Sequence, residues 1–352
     1  MQLNAASAKR PFLEPVHAFR AVAIAIIVVG HAVPCFDWRS RPQLEALLLD
    51  LWSNGTVLFV FVAGYLFEYH SPGYRYISYL RKKFLYVVIP YVLVEAPAVI
   101  ITLVRSSPDP GALALRDWVH RILWFYTHPA LTINFPLWFI PMIVAYYVLA
   151  PFFMLFVRWP RLYALLPALL CVSALAHRPV VLSEISQPGV YFLSAYVAGM
   201  WASHSRQWLD PLLRRHAVAL AAMFVVSVAA CTLLLAHHGN YESLRLFSRE
   251  HGWIDWVFLQ KLLLSFALLG VLGRVVKRRI RALAVVADQS FSIYFLHYYV
   301  LIAFQACFDP DVPVGTLMGL LGLTAVVFAA TIAVVSLLGR LVGDHRRWLV
   351  GS

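Results

Sequence analysis

HAFRAVAIAIIVVGHAVP, residues 17–34, is an almost unbroken apolar run. At 1.5 Å per residue it is long enough to cross most of a bilayer core of roughly 30 Å. Its interior carries two ionisable side chains, Arg20 and His31, eleven positions apart. At 100° per residue that separation is three turns plus about 20°, so the two share one helix face, roughly 16 Å apart along the axis. Charged and titratable groups inside a membrane are costly and usually face a cavity or one another. Taken singly, each has a plainer reading: Arg20 as a snorkelling anchor and His31 as a helix-end histidine bonded to a neighbour. Their common face favours a site.

The rest of the chain has the same character. Of 352 residues, 61% are hydrophobic and 13% charged, and the mean hydropathy is +0.74. That excludes an ordinary soluble enzyme, which is about a quarter charged, and excludes disorder. Apolar runs between breakers give ten candidate spans, at 16–34, 53–69, 84–104, 135–157, 162–177, 189–203, 216–236, 254–275, 289–307 and 314–341. The fold expected is an all-α integral membrane protein, a bundle of about ten transmembrane helices. Residues 1–15 form an N-terminal tail, 16–341 the transmembrane domain and 342–352 a C-terminal tail.

With the N-terminus inside, 19 of the 29 basic residues fall in inside segments and 8 in outside loops, while Arg20 and Lys261 lie within spans. The positive-inside bias places both termini in the cytoplasm. It also accounts for the net charge of +12 as topology and lipid contact, so no nucleic-acid partner is implied. The first fifteen residues lack a cleavable-signal pattern. Cys35, Cys171, Cys231 and Cys307 form no CxxC pair, and no metal-ligand spacing is present, including around His237, His238 and His251.

Further polar residues punctuate the spans. Arg81, Lys82 and Lys83 begin the third, a cluster that on its own reads as a topology determinant. Ser290, Tyr294 and His297 fall at i, i+4 and i+7 of the ninth, one helical face, either as polar glue between helices or as cavity lining. Trp138 reads as an interfacial belt residue or a sugar-stacking platform. Glu95 and Lys261 are at depths that would let them pair, and Asp255 and Asp288 sit at span ends, where charge is cheap.

The segment from Arg20 to His31 matches the R-x10-H signature of the membrane acyltransferase family 3. GTVLFVFVAGYLF (55–67), RKKF (81–84) before IPY (89–91), LWFIP (137–141) and SFSIYFLH (290–297) follow in family order, and by these blocks the chain resembles that family from residue 16 to about 300. It departs where many relatives carry an acidic residue three positions before the arginine, here His17, and where another arginine often follows the basic cluster, here Tyr86 and Val87. The resemblance implies an O-acyltransferase of the bacterial inner membrane. Its donor would be acyl-CoA, acetyl-CoA foremost, with no bound cofactor, and its acceptor a cell-surface glycan or lipid-linked sugar, with glycan-synthesis machinery as a partner. His31 is then the base or transient acyl carrier, and Arg20 holds the phosphates or pantetheine of the donor. Arg81 and Lys83 are donor contacts, and Tyr294, His297 and Trp138 candidate cavity lining. A glycan or lipid exporter and a non-catalytic partner of a glycan synthase are the alternatives from other classes; two related halves would mark the exporter, and no internal repeat is found.

Overall fold

Alanine, isoleucine and valine dominate Glu14–Ala32 (α1), and they are buried on nearly every side of it, so α1 is the central post of the molecule. The structure is a computed structural model that describes residues 12–107, 114–179, 186–343 and 346–351. Most of the expected N-terminal tail, with Lys9 and Arg10, lies outside them, as do the side chains of Arg346 and Arg347. After α1 come α2 (Pro42–Trp52), α3 (Thr56–His70), α4 (Tyr76–Lys83), α5 (Ile89–Ser106), α6 (Leu115–Thr127), α7 (Phe139–Val148), α8 (Ala150–Arg158) and α9 (Leu166–Leu175). The second half holds α10 (Ser186–His204), α11 (Arg206–Arg215), α12 (Ala217–Leu234), α13 (Trp256–Val275), α14 (Arg281–Asp288), α15 (Ser290–Phe308), α16 (Leu317–Val342) and α17 (Arg346–Val350). Two two-residue strands, β1 (Arg178–Pro179) and β2 (Glu242–Ser243), pair in parallel with Arg178 opposite Glu242.

Among the described residues, seven helical segments are long and apolar enough to cross a membrane, so the chain is a multi-pass helical membrane protein. An eighth is added when Phe135–Val148 and Ala150–Arg158, bent by 55°, count as one span. Pro151 explains that bend: it has no N–H to give, and its ring crowds the carbonyl of Tyr147. The ten expected spans are not reached by this measure, and the shortfall lies in two places. Expected span 162–177 is a 3-10 turn leading into the ten-residue α9. Expected span 189–203 is the full-length helix α10, but its serine, glutamine and histidine content lowers its apolarity, and it is sunk in the protein core. In addition, α2 occupies an interval expected to be an outside loop.

The tightest helix crossing joins α3 and α10. Phe61-Val62-Ala63-Gly64 on one helix meets Tyr196-Val197-Ala198-Gly199 on the other, and a methyl group on either glycine would overlap the facing backbone, the Tyr196 carbonyl from Gly64 and the Phe61 carbonyl from Gly199. Small residues allow this approach where no hydrophobic force drives helices together.

A second lock is polar. The Asp50 carboxylate, fully buried, accepts from Thr232 Oγ1 (2.9 Å), His238 Nδ1 (3.0 Å) and the Gly239 N–H (3.0 Å). Lys261, also fully buried, donates to the Asp50 carbonyl at 2.8 Å and to Gln260 Oε1. The expected Glu95–Lys261 pair does not form: Glu95 instead accepts from Thr132 Oγ1 at 2.5 Å. Nor is Asp255 a cheap span-end charge. It is fully buried, caps α13 through the Phe258 N–H (2.7 Å) and accepts from the Tyr191 hydroxyl (2.6 Å). Asp288 takes a partner too, accepting from His17 at 2.9 Å.

The expected C-terminal tail folds back. Val350 is buried, and its carbonyl accepts from Ser292 Oγ of α15 at 2.8 Å, so α17 closes one end of the bundle beside α5.

Candidate active site

Helices α1 and α15 run side by side and meet at two polar contacts. Arg20 Nη2 donates to Ser290 Oγ at 2.7 Å, and His31 Nδ1 lies 2.9 Å from His297 Nε2. The first pair is eleven residues from the second on α1 but only seven on α15. At 1.5 Å per residue the difference is about 6 Å, which the extended arginine side chain makes up. The predicted common faces, Arg20 with His31 and Ser290 with Tyr294 and His297, are therefore the two halves of one contact.

The histidine pair has a defined proton order. His297 is fully buried, and its Nδ1 faces the carbonyls of Tyr294 (2.8 Å) and Ile293 (3.2 Å). A carbonyl only accepts, so Nδ1 carries the hydrogen and Nε2 is bare in the neutral ring. His31 Nδ1–H must then donate to it, and His31 Nε2 is left with its lone pair. That nitrogen has no hydrogen-bond partner among the described residues. The edges of Phe135 and Tyr298 flank the ring at 5.7 and 6.0 Å, and His31 is only half-buried.

A cavity of about 610 Å³ opens at the Arg20 end of α1, within the 300–1,000 Å³ typical of ligand pockets. Arg20, Lys82, Lys83, Arg75 and His70 line it, and among the described residues of its lining there is no Asp or Glu. The sequence aims Lys83 inward through a local distortion. Phe84–Val88 is a π-helical turn, and Pro90, which cannot donate and would crowd the Tyr86 carbonyl, is the reason the ordinary ladder is interrupted there. Lys83 then rests its ammonium over the Tyr147 ring at 4.5 Å. Arg81, an expected donor contact, is exposed and is not part of the lining; its neighbour Lys82, not among the expected donor contacts, is.

His31 does not line this cavity. Between them stands an aromatic partition. Phe59 and Phe139, both lining residues, lie 6.3 and 5.7 Å from the Tyr294 ring, and Tyr294 lies 5.9 Å from His297 while its hydroxyl donates to the Pro136 carbonyl.

Trp138 is buried rather than at a lipid-facing belt. Phe192 stacks on it at 5.7 Å and the Arg178 guanidinium lies over its ring at 5.1 Å, so neither face is open to a sugar. The sequence marks Arg178 only as one of the outside basic residues. It is held by the pairing of β1 with β2 and by its N–H to the Tyr241 carbonyl (2.9 Å), and its charge reaches both His31 and Tyr294. No local pattern marks it, because the segment that positions it lies some sixty residues away.

His237 and His251 stack at 4.0 Å in the loop before α13. Among the described residues no three His, Cys, Asp or Glu side chains come together as metal ligands.

No curated protein and no solved structure matches the chain. The family profile described as an acyltransferase domain matches residues 16–339, from the start of α1 into α16. That interval contains the histidine pair, the aromatic partition and every lining residue of the basic cavity except Gly351, and the chain is accordingly a member of acyltransferase family 3.

Proposed function

We propose that this acyltransferase moves an acyl group, acetyl foremost, from cytoplasmic acyl-CoA to a hydroxyl of a cell-surface glycan or lipid-linked sugar in the bacterial inner membrane. The observation that carries the reading is the histidine pair, which leaves His31 Nε2 as an available base.

The donor binds in the basic cavity, its phosphates on Arg20, Lys82 and Lys83, where charge-assisted bonds are strongest. The basic bias of the segments on the side that holds this cavity supports a cytoplasmic position for it and for both termini. The pantetheine arm extends along α1 past Tyr294, covering the roughly 16 Å to His31. The acceptor hydroxyl attacks the thioester carbonyl, and its proton passes to His31 Nε2. The resulting imidazolium keeps its Nδ1–H on His297. The tetrahedral intermediate then expels the coenzyme A thiolate, which takes the proton back, leaving ester and free thiol. Glycan-synthesis machinery would deliver the acceptor.

The test is acyl content of surface glycan, read by mass spectrometry, in a deletion strain complemented with wild type or His31→Ala at matched membrane expression. Wild type restores the ester and His31→Ala does not. Full restoration by His31→Ala would remove the base from the mechanism. Intact acylation with glycan trapped inside would replace the whole reading with an exporter.

A further inference from the structure

The residues around Arg178 are built for a ligand that the donor cavity does not account for. Arg178 is 7% exposed, yet its guanidinium Nε is buried without a hydrogen-bond partner among the described residues. Among the described residues, the carboxylate oxygen paired with it, Glu242 Oε1, stands off at 3.8 Å from Nε. A desolvated guanidinium without close partners is costly, and a bidentate anion is what its planar fork is shaped to accept.

The segment 132–138 connects this charge to His31. Phe135 touches His31 edge-on, the Pro136 carbonyl accepts from Tyr294, and Trp138 lies beneath Arg178. At its other end Asn134 is fully buried, and its amide is aimed at the Glu95 carboxylate and Tyr299 without closing to hydrogen-bond geometry with either. Glu95, fully buried, uses one carboxylate oxygen on Thr132 and leaves Oε2 without a partner. Buried polar groups are nearly always satisfied, and here four atoms on three residues, Arg178 Nε, Asn134 Nδ2 and Oδ1, and Glu95 Oε2, are not. The charges of Arg178 and Glu95 both reach Tyr294, which lies 5.9 Å from His297.

We infer that Arg178, Asn134 and Glu95 form the acceptor subsite, and that it takes an anionic sugar, the anion on Arg178 and ring hydroxyls on Asn134 and Glu95. This deepens the acyl-transfer reading and rests on it for the word acceptor. Because both faces of Trp138 are covered, recognition is by charge and hydrogen bonding rather than by stacking. The anion is a carboxylate of a uronic acid or a phosphate on the sugar, and the two differ in test.

The experiment uses the full chain in nanodiscs of zwitterionic lipid, saturated with coenzyme A so that the basic cavity is filled. Glucuronic acid, glucose 1-phosphate and glucose are titrated separately and followed by saturation-transfer NMR and calorimetry. At least one anionic probe should bind about tenfold or more tighter than glucose, and which one identifies carboxylate or phosphate. Arg178→Gln should abolish the preference while still binding coenzyme A, which shows that the variant is folded. Glu242→Gln, by removing the carboxylate that pairs at 3.8 Å with Arg178, should strengthen anion binding severalfold, a gain that misfolding cannot imitate. Equal binding of all three sugars, no binding by wild type, or a preference that survives Arg178→Gln overturns the inference. Failure of wild type to bind coenzyme A or to restore glycan esters would undo the acyl-transfer reading instead, leaving any Arg178-dependent preference intact.

Discussion

His31 Nδ1 lies 2.9 Å from His297 Nε2, and the far nitrogen of His297 is fixed by two backbone carbonyls of its own helix. The pair therefore orients His31 as a carboxylate orients the base of a hydrolase, but without placing a formal negative charge in the membrane. Loss of the base itself should lower acyl transfer by about 10²–10⁴-fold. His297→Ala leaves His31 in place but unoriented, so a smaller loss is expected, on the order of 10–100-fold. His297→Gln supplies an amide oxygen able to accept from His31 Nδ1–H and should recover part of that loss. Turnover of purified variants decides it; equal activity of His297→Ala and wild type would show that the contact does nothing for the reaction.

The donor cavity makes a prediction within one run of three residues. Lys82 and Lys83 line it and Arg81 does not. Lys83→Ala and Arg20→Ala should each raise the KM for acyl-CoA by about tenfold, equivalent to one charge-assisted contact of about 1.4 kcal/mol. Lys82→Ala, more exposed, should cost less, and Arg81→Ala should stay within a factor of about two. A KM rise in Arg81→Ala equal to that in Lys83→Ala would mean that the cluster acts as an undirected charge.

That contrast shows where the sequence is legible. Arg20 and His31 stand out because titratable residues are rare in an apolar run, and the i, i+4, i+7 face of Ser290, Tyr294 and His297 follows from helix geometry alone. Which member of Arg81-Lys82-Lys83 turns inward does not, since a π-turn at Phe84–Val88 breaks the 3.6-residue period that such an inference needs. Arg178 is hidden for a different reason: a loop residue takes its place from β2 and Tyr241, distant in sequence. The number of spans is not legible in the same way, because an apolar run such as 162–177 looks alike whether it continues as one long helix or holds only ten residues of α-helix.

The Gly64–Gly199 crossing carries no chemistry and should separate stability from catalysis. Gly64→Ala or Gly199→Ala forces α3 and α10 apart, with an expected loss of about 1–3 kcal/mol, seen as a lower unfolding temperature in detergent. The double variant should not be the sum of the singles, because the two methyl groups share one interface. Unchanged unfolding temperatures in both single variants would show that the crossing can relax without cost.

Acid should loosen the loop against which Arg178 is held. Burial holds His177 and His237 below the ordinary imidazole value, and repulsion from His251 acts in the same direction. His237 Nε2 faces the Asn240 carbonyl at 2.8 Å, and its ring stacks on His251 at 4.0 Å, an arrangement that tolerates neutral rings better than two cations. The unfolded loop titrates near pH 6.5, so the stability contributed by the neutral rings is complete above that pH. It is lost as the pH falls below 6.5 toward the depressed folded values, because the open loop then binds more protons than the closed one. Hydrogen exchange across 237–252, corrected for its intrinsic pH dependence, should accelerate severalfold between pH 7.5 and 5.5 while α13 stays protected. His251→Phe keeps an aromatic partner for His237 and removes one positive charge, so the acceleration should shrink. An acid response of the same size in His251→Phe would place its origin elsewhere than in the stacked pair.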